Sequence, residues 1–156
     1  MPSDSKTAEL DAPLHAIGFA IDLVSPNEVN GSFTVTGATC QPFKVLHGGI
    51  SALVAEALAS IGAHTASGFK RIAGIQLCIN HHRTARLGDR VFASAKPVQV
   101  GKTIQVWEVH LWKIENDSDR EKKVLIASSK VTFLSNMPVP QDAKNAGETL
   151  RKYAKL

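Results

Sequence analysis

The chain has 156 residues, of which 44% are hydrophobic and 21% charged, and its formal net charge is +4. These proportions are typical of one globular domain with a sizeable core, and they argue against a disordered chain. No run of about 18 apolar residues free of Gly, Ser and His occurs, so we predict no membrane span. The aromatic content of 6% and the lack of a nucleic-acid-binding motif argue against RNA as a partner of this basic chain.

The N-terminal segment is polar and mixed in charge over residues 1–10, which is unlike a secretory signal. We therefore predict a flexible tail over residues 1–12. Residues 14–24 are compatible with a short helix or a strand. The alternation of apolar and polar residues over 31–39 predicts a strand.

A helix is predicted after this strand, and it contains an isolated acid. Between Lys44 and Lys70 the only formally charged residue is Glu56. Apolar residues recur there with the spacing of a core-facing helix: Ile50, Leu53, Val54, Ala57, Leu58 and Ile61. Glu56 lies roughly 130° from the centre of this stripe when each residue turns 100°. The residues that share its face are small and uncharged: Gly49, Ala52, Ala59, Ser60 and Ala63.

We interpret Glu56 as a catalytic group. An ionised carboxylate buried without a partner costs several kcal/mol, so such a residue is paired, protonated, functional or simply solvated. A face of small residues suits close approach by a ligand or a second backbone, which predicts a helix buried on two sides. Gly48 and Gly49 at the helix start could hold an oxyanion through free N–H groups.

The spacing of these two features predicts a site shared between two chains. Positions 48 and 56 are roughly 12 Å apart along a helix axis at 1.5 Å per residue. An oxyanion donor and a nucleophile or base must both lie about 3 Å from the reacting centre. One helix cannot supply both groups, so two copies with antiparallel helices would be needed.

The second half of the chain predicts strands. These cover residues 72–80, 89–98, 103–114 and 123–134, with glycine turns before the second and third and a charged hairpin tip at 115–119. Pro138 and Pro140 end the last strand, and residues 141–153 predict a short helix. The fold class is therefore α+β, with one long helix wrapped by a curved antiparallel sheet of five to six strands.

Three sequence blocks resemble one known family. These are residues 41–49 followed by Ala55-Glu56, residues 80–89, and residues 101–107, with Ser128-Ser129-Lys130 in addition. They resemble the hotdog-fold acyl-CoA thioesterases, in the branch that includes 4-hydroxybenzoyl-CoA thioesterase. The resemblance runs from about residue 13 to 136, so residues 13–137 are interpreted as one hotdog thioesterase domain. The chain is similar to the plant peroxisomal members that act on 1,4-dihydroxy-2-naphthoyl-CoA. It implies hydrolysis of an aryl-CoA thioester.

The resemblance also implies roles for five residues. Glu56 matches the carboxylate that attacks the thioester or activates water, and Gly48 matches the backbone donor to the carbonyl. Gln41 matches an amide that orients the carbonyl or the water, although it could instead cap a turn. Ser60 matches a hydroxyl residue near the carboxylate, or is a helix-packing residue. His47 matches a histidine near the acyl carbonyl, or is a helix N-cap.

Contacts to the coenzyme A part of the substrate are expected where basic residues concentrate. From Lys70 to Lys102, both included, there are seven Lys and Arg residues and one acid, Asp89, and Arg binds phosphate in a bidentate way. The expected contacts are His81, Arg83, Gly101, Lys102, Ser128 and Ser129. His81 and His82 lack a further ligand at metal spacing, so we expect no metal and no cofactor beyond the CoA of the substrate.

Partners and location complete the expectations. The family implies self-association as a dimer of dimers. The final tripeptide, Ala154-Lys155-Leu156, is of the S-K-L type that the peroxisomal import receptor recognises, so residues 138–156 are interpreted as a C-terminal segment ending in this signal. Three alternatives stay open: a broad-range fatty acyl-CoA thioesterase, a non-catalytic acyl-CoA-binding protein, and a hotdog hydratase.

Overall fold

The computed structural model describes residues 5–117 and 120–156. Its helices are α1 (Ser5–Leu10), α2 (Ala12–Ala16), α3 (Gly48–Ala66) and α4 (Glu148–Tyr153), with 3₁₀ turns at Gly37–Thr39 and Gln141–Ala143. Its strands are β1 (Ala20–Val24), β2 (Val29–Thr34), β3 (Arg71–His81), β4 (Arg90–Val100), β5 (Ile104–Asp117) and β6 (Arg120–Met137). Ser118 and Asp119 of the predicted hairpin tip lie outside the described residues.

The six strands form one antiparallel sheet in the order β1-β2-β4-β5-β6-β3. The chain leaves β2, runs through α3 and returns to the opposite edge as β3, so the helix crosses the face of the sheet and contacts all six of its strands. This is the predicted α+β hotdog architecture. The edge position of β3 leaves one side of that strand without a neighbour in the sheet.

Small residues on α3 let the helix approach the sheet closely. A side chain at Gly62 would overlap with the ring of Trp107, which is fully buried on β5. The Trp107 indole N–H donates to Gln105 Oε1 (2.8 Å), and the Gln105 amide donates to the Ala63 carbonyl (3.0 Å) and to Ser135 Oγ (3.2 Å). Buried polar groups need such partners, and this network therefore fixes α3 against β5.

The core-facing side of α3 is rotated from the predicted stripe. Ile50 and Leu53 are only partly buried, whereas Ala59 and Ala63, expected beside Glu56, are fully buried. The prediction had placed the stripe of larger apolar residues at the centre of the core-facing side. The sheet already supplies bulk through residues such as Trp107, so small residues, Ala59 and Ala63, are buried on the helix together with Val54 and Leu58.

Three predicted boundaries also change. The flexible tail over 1–12 does not describe residues 5–12, because Thr7 is buried in α1 and its hydroxyl accepts from the Ile21 N–H (2.9 Å). The strand predicted to residue 39 ends at Thr34 and gives way to a 3₁₀ turn. The C-terminal helix predicted over 141–153 is a 3₁₀ turn followed by the short α4.

Helix α3 alone has the length and apolar composition of a membrane span within the described residues. More than half (56%) of the apolar segment that makes α3 resemble a membrane span is buried inside the fold, as in a helix that packs in a protein core. The helix is thus accounted for by its packing on the sheet.

Candidate active site

The first half of the candidate site surrounds the start of α3. A cavity of about 290 Å³ lies there, and its lining includes Gln41, Gly48, Ser51, His81 and Arg83. A Cβ added to Gly48 would lie 3.2 Å from the His81 ring, which places the helix start beside the last residue of β3. The structure thus brings together four of the sequence-predicted site residues.

Hydrogen bonds orient two side chains in this half. Gln41 Oε1 accepts from the Phe43 N–H (2.5 Å), so the turn is capped as the alternative interpretation expected, and the amide NH₂ points away from that bond. His47 is the N-cap of α3, since its Nδ1 accepts from the Gly49 N–H (2.9 Å). Among the residues that the structure describes, the Gly48 N–H has no acceptor. A backbone donor at the positive end of the helix dipole is therefore available.

The second half of the site is on the exposed side of α3. Glu56 lies in a groove of about 370 Å³ together with Gly49, Ala52, Leu53 and Ser60. A Cβ added to Gly74 of β3 would come within 2.9 Å of Glu56 Oε1, so a glycine there lets the carboxylate rest over the strand. Glu56 has no ion-pair partner within residues 5–117 and 120–156.

The expectation that Glu56 is buried is wrong for a single chain, in which the residue is exposed. Its carboxylate rests over Gly74 at the edge of the sheet, and the groove around it, which Asp11 and Leu77 also line, is open to solvent. A second acid, Asp11, thus lines the same groove, and the Glu56 carboxylate makes no ion pair within the described residues. A second molecule would be needed to bury it.

The two halves are held apart by the helix itself. Because α3 is continuous from Gly48 to Ala66, Gly48 and Glu56 are separated by roughly 12 Å along its axis. The halves also lie at opposite ends of β3, since Gly48 is beside His81 and Glu56 is beside Gly74. One chain does not bring the donor and the carboxylate together.

The residues predicted to contact CoA fall into two groups, one near each end of β3. His82 Nε2 and Ser128 Oγ are 2.8 Å apart, and Arg83 donates to the Leu125 carbonyl (3.3 Å), so these residues cluster near His81. The turn at Gly101 and Lys102 is bonded to the far end of β6, where Asn136 donates to the Lys102 carbonyl.

Ser129 is not available to a ligand, which corrects its predicted role. It is only 3% exposed, because it faces the interior while its neighbour Ser128 faces outward. Adjacent strand residues point to opposite faces, so the Ser128-Ser129 pair could never have supplied two contacts on one side.

A third cavity, of about 560 Å³, was missed by the sequence analysis. It lies beyond Glu56, where Ser60 and His64 of α3 meet Phe69, Arg71 and Arg151. Burial lowers the pKa of the His64 imidazole, a hydrogen bond to the Phe69 backbone offsets part of this, and the positive charge of Arg151 lowers the pKa further. Glu56, Ser60 and His64 have the i, i+4, i+8 spacing of one helix face, and this signal could have identified His64.

The chain is similar to known proteins in sequence and in structure. Residues 43–119 match the family described as Thioesterase superfamily. The chain is 52% identical to 1,4-dihydroxy-2-naphthoyl-CoA thioesterase 2 of Arabidopsis thaliana, over 96% of each chain. It is 34% identical to 1,4-dihydroxy-2-naphthoyl-CoA hydrolase of Listeria monocytogenes, over 72% of this chain and 86% of that one.

A solved structure supports the same assignment. The crystal structure of a thioesterase from Haemophilus influenzae superposes with a TM-score of 0.71 at 28% identity, covering 84% of this chain and 87% of that one. The similarity in fold therefore accompanies the similarity in sequence. The chain belongs to the thioesterase superfamily and has its hotdog fold.

Proposed function

We propose that this chain hydrolyses 1,4-dihydroxy-2-naphthoyl-CoA to 1,4-dihydroxy-2-naphthoate and CoA, in phylloquinone (vitamin K1) biosynthesis. The relatives from Arabidopsis thaliana and Listeria monocytogenes are named for this acyl group. The structural observation that supports thioester hydrolysis is the pair of half-sites, a free backbone donor at Gly48 and an unpaired carboxylate at Glu56, at the two ends of one free sheet edge.

In the proposed reaction the elements of water are added across the C–S bond. Glu56 either takes a proton from a water molecule that attacks the thioester carbon, or attacks that carbon itself and is released by water afterwards. The Gly48 N–H and the NH₂ of Gln41 stabilise the negative charge on the carbonyl oxygen. The C–S bond then breaks, CoA leaves as a thiolate that takes up a proton, and the acid remains. No metal or redox cofactor is required.

Two chains complete one site if their β3 strands pair across a two-fold axis. In an antiparallel pair, an axis through Cys78 sets Leu77 of one chain opposite Ile79 of the other, and the bulge between Gly74 and Gln76 brings Gly74 of one chain next to His81 of the other. Glu56 of one protomer then faces Gly48 of its partner. The pairing also covers Ile75, which is 54% exposed on this edge in a single chain, and removes an open strand edge.

The same axis would bring the divided CoA contacts together. Gly101 and Lys102 of one protomer would approach His81 and Arg83 of its partner, which concentrates positive charge around the phosphates. The family resemblance further supports the association of two such dimers into a tetramer.

The substrate proposal is tested by comparing kcat/KM for 1,4-dihydroxy-2-naphthoyl, benzoyl and palmitoyl esters of CoA while thiol release is followed. We expect the naphthoyl ester to be hydrolysed best, with benzoyl slower by about 10- to 200-fold, because apolar contacts discriminate by only about 1–3 kcal/mol. A preference for palmitoyl would favour the fatty acyl-CoA alternative. The absence of hydrolysis, with CoA esters still bound, would favour the non-catalytic alternative.

We also propose a peroxisomal location through Ala154-Lys155-Leu156. The Leu156 side chain is 87% exposed, while the Lys155 N–H is bonded to the Val24 carbonyl at 2.9 Å, so a receptor would have to release that bond. A fluorescent protein fused to the N-terminus is expected to reach peroxisomes with the tripeptide and to lose that location without it. Peroxisomal fluorescence that survives the deletion would contradict this role.

A further inference from the structure

The 560 Å³ cavity adjoins the groove that holds Glu56. Ser60 lines both spaces, one helical turn beyond Glu56, and His64 lines the cavity one turn further. These turns correspond to roughly 6 and 12 Å along the helix axis. A group held at Glu56 by its thioester carbon can therefore extend past Ser60 into the cavity. The volume is in the range of small-molecule sites.

The wall of this cavity is built around a strained aromatic residue. Phe69 has φ = +66°, a conformation that costs a non-glycine residue about 1–3 kcal/mol. Its ring contacts the His64 ring edge at 6.4 Å between centroids, and the Arg151 guanidinium lies 4.9 Å from its centroid. Helix α3 and the C-terminal α4 thus meet through this ring, and the segment after Pro138 closes the cavity.

The charges around the cavity select the chemistry of its occupant. Arg71, Lys144 and Arg151 line it with a single acid, Glu148. An aliphatic chain would desolvate these cations without offering them a partner, which is unfavourable. An aromatic ring with an acidic hydroxyl offers both an apolar body and an oxygen that accepts charge-assisted hydrogen bonds.

We propose that this cavity holds the acyl group of the substrate, that His64 binds a ring hydroxyl, and that the C-terminal segment is part of the acyl site through Arg151. The inference rests on the proposed function and specifies how that function distinguishes acyl groups. His64 suits the role because a neutral imidazole both donates and accepts a hydrogen bond, and burial together with Arg151 favours the neutral form by lowering the His64 pKa.

The test compares two esters that differ in one hydroxyl, 1,4-dihydroxy-2-naphthoyl-CoA and 1-hydroxy-2-naphthoyl-CoA. We expect the intact protein to prefer the dihydroxy ester in kcat/KM by about tenfold, the effect of one hydrogen bond. His64→Leu is expected to reduce this ratio to near one. Arg151→Gln, a substitution of an exposed residue, should reduce the ratio in the same direction and serves as the second variant if His64→Leu does not fold.

Lys152→Ala is the matched control, because Lys152 is the neighbour of Arg151 on α4 but pairs with Glu9 (3.1 Å) outside the cavity. Its ratio should equal that of the intact protein. If the intact protein hydrolyses both naphthoyl esters but shows no preference, or if both variants keep the original ratio, the acyl-site proposal is wrong although the thioesterase proposal stands. If neither naphthoyl ester is hydrolysed by the intact protein, both proposals fail.

Discussion

Replacing Glu56 with glutamine is expected to lower kcat by at least about a hundredfold, the low end for the loss of a general base. The amide has the shape of the carboxylate and can still rest over Gly74, but it neither takes a proton from water nor attacks a thioester. Because Glu56 is exposed and makes no ion pair within the described part of the chain, the substitution should leave the unfolding temperature nearly unchanged.

Steady-state thiol release measures kcat, and competition by free CoA measures whether the binding site persists. Glu121→Gln is the matched control, because it makes the same change at an exposed carboxylate on β6, away from α3. A Glu56→Gln protein that turns over at a rate close to that of the control would remove the proposed mechanism, whatever acyl group is preferred.

The local pattern of apolar, polar and turn residues along the sequence was sufficient to predict the long helix and most of the sheet. The helix around Glu56 was identified by the spacing of its apolar residues, and the four later strands by turn residues between apolar runs. These signals involve residues that are close together in the sequence, so they can be recognised without a structure. The same is true of the separation between Gly48 and Glu56, because it follows from helix geometry alone.

The errors arose where distant residues decide the outcome. The rotation of α3 depends on Trp107, which lies some 45 positions after Gly62 in the chain. Gly62 makes room for the large Trp107 ring, but this fit exists only in the folded structure. Thr7 is ordered because it bonds to Ile21, which a polar N-terminal sequence does not reveal.

The candidate site was predicted unevenly for a similar reason. Its two halves consist of short, contiguous sequence motifs around Gly48 and Glu56, which could be recognised in the sequence. The large cavity instead combines α3 with Phe69 and with Arg151 of the C-terminal segment, for which the sequence predicted a short helix and a targeting signal but no part of the site. Its assembly depends on tertiary packing of α4.

A site shared between chains makes a strong prediction about mixed dimers. One partner is the Glu56→Ala chain. The other is Gly48→Pro, which removes the N–H donor and adds a Cβ 3.2 Å from the His81 ring, a contact that a small shift of this exposed ring relieves. Proline is tolerated at the first position of a helix, and His47 already has the extended conformation (φ −67°, ψ 129°) that a following proline requires. Each variant alone should lose about 100- to 1,000-fold in kcat through loss of the carboxylate or of an oxyanion donor.

Co-expression with two different affinity tags and tandem purification isolates the hybrid dimers. Each hybrid should contain one site with both defects and one with none, because the intact Glu56 comes from the Gly48→Pro chain and the intact Gly48 from the Glu56→Ala chain. We therefore expect the hybrid to recover about half of the original activity, as one intact site in two requires. A hybrid as inactive as its parents would place both groups in one chain, and an active species that light scattering finds to be monomeric would lead to the same rejection of the shared site.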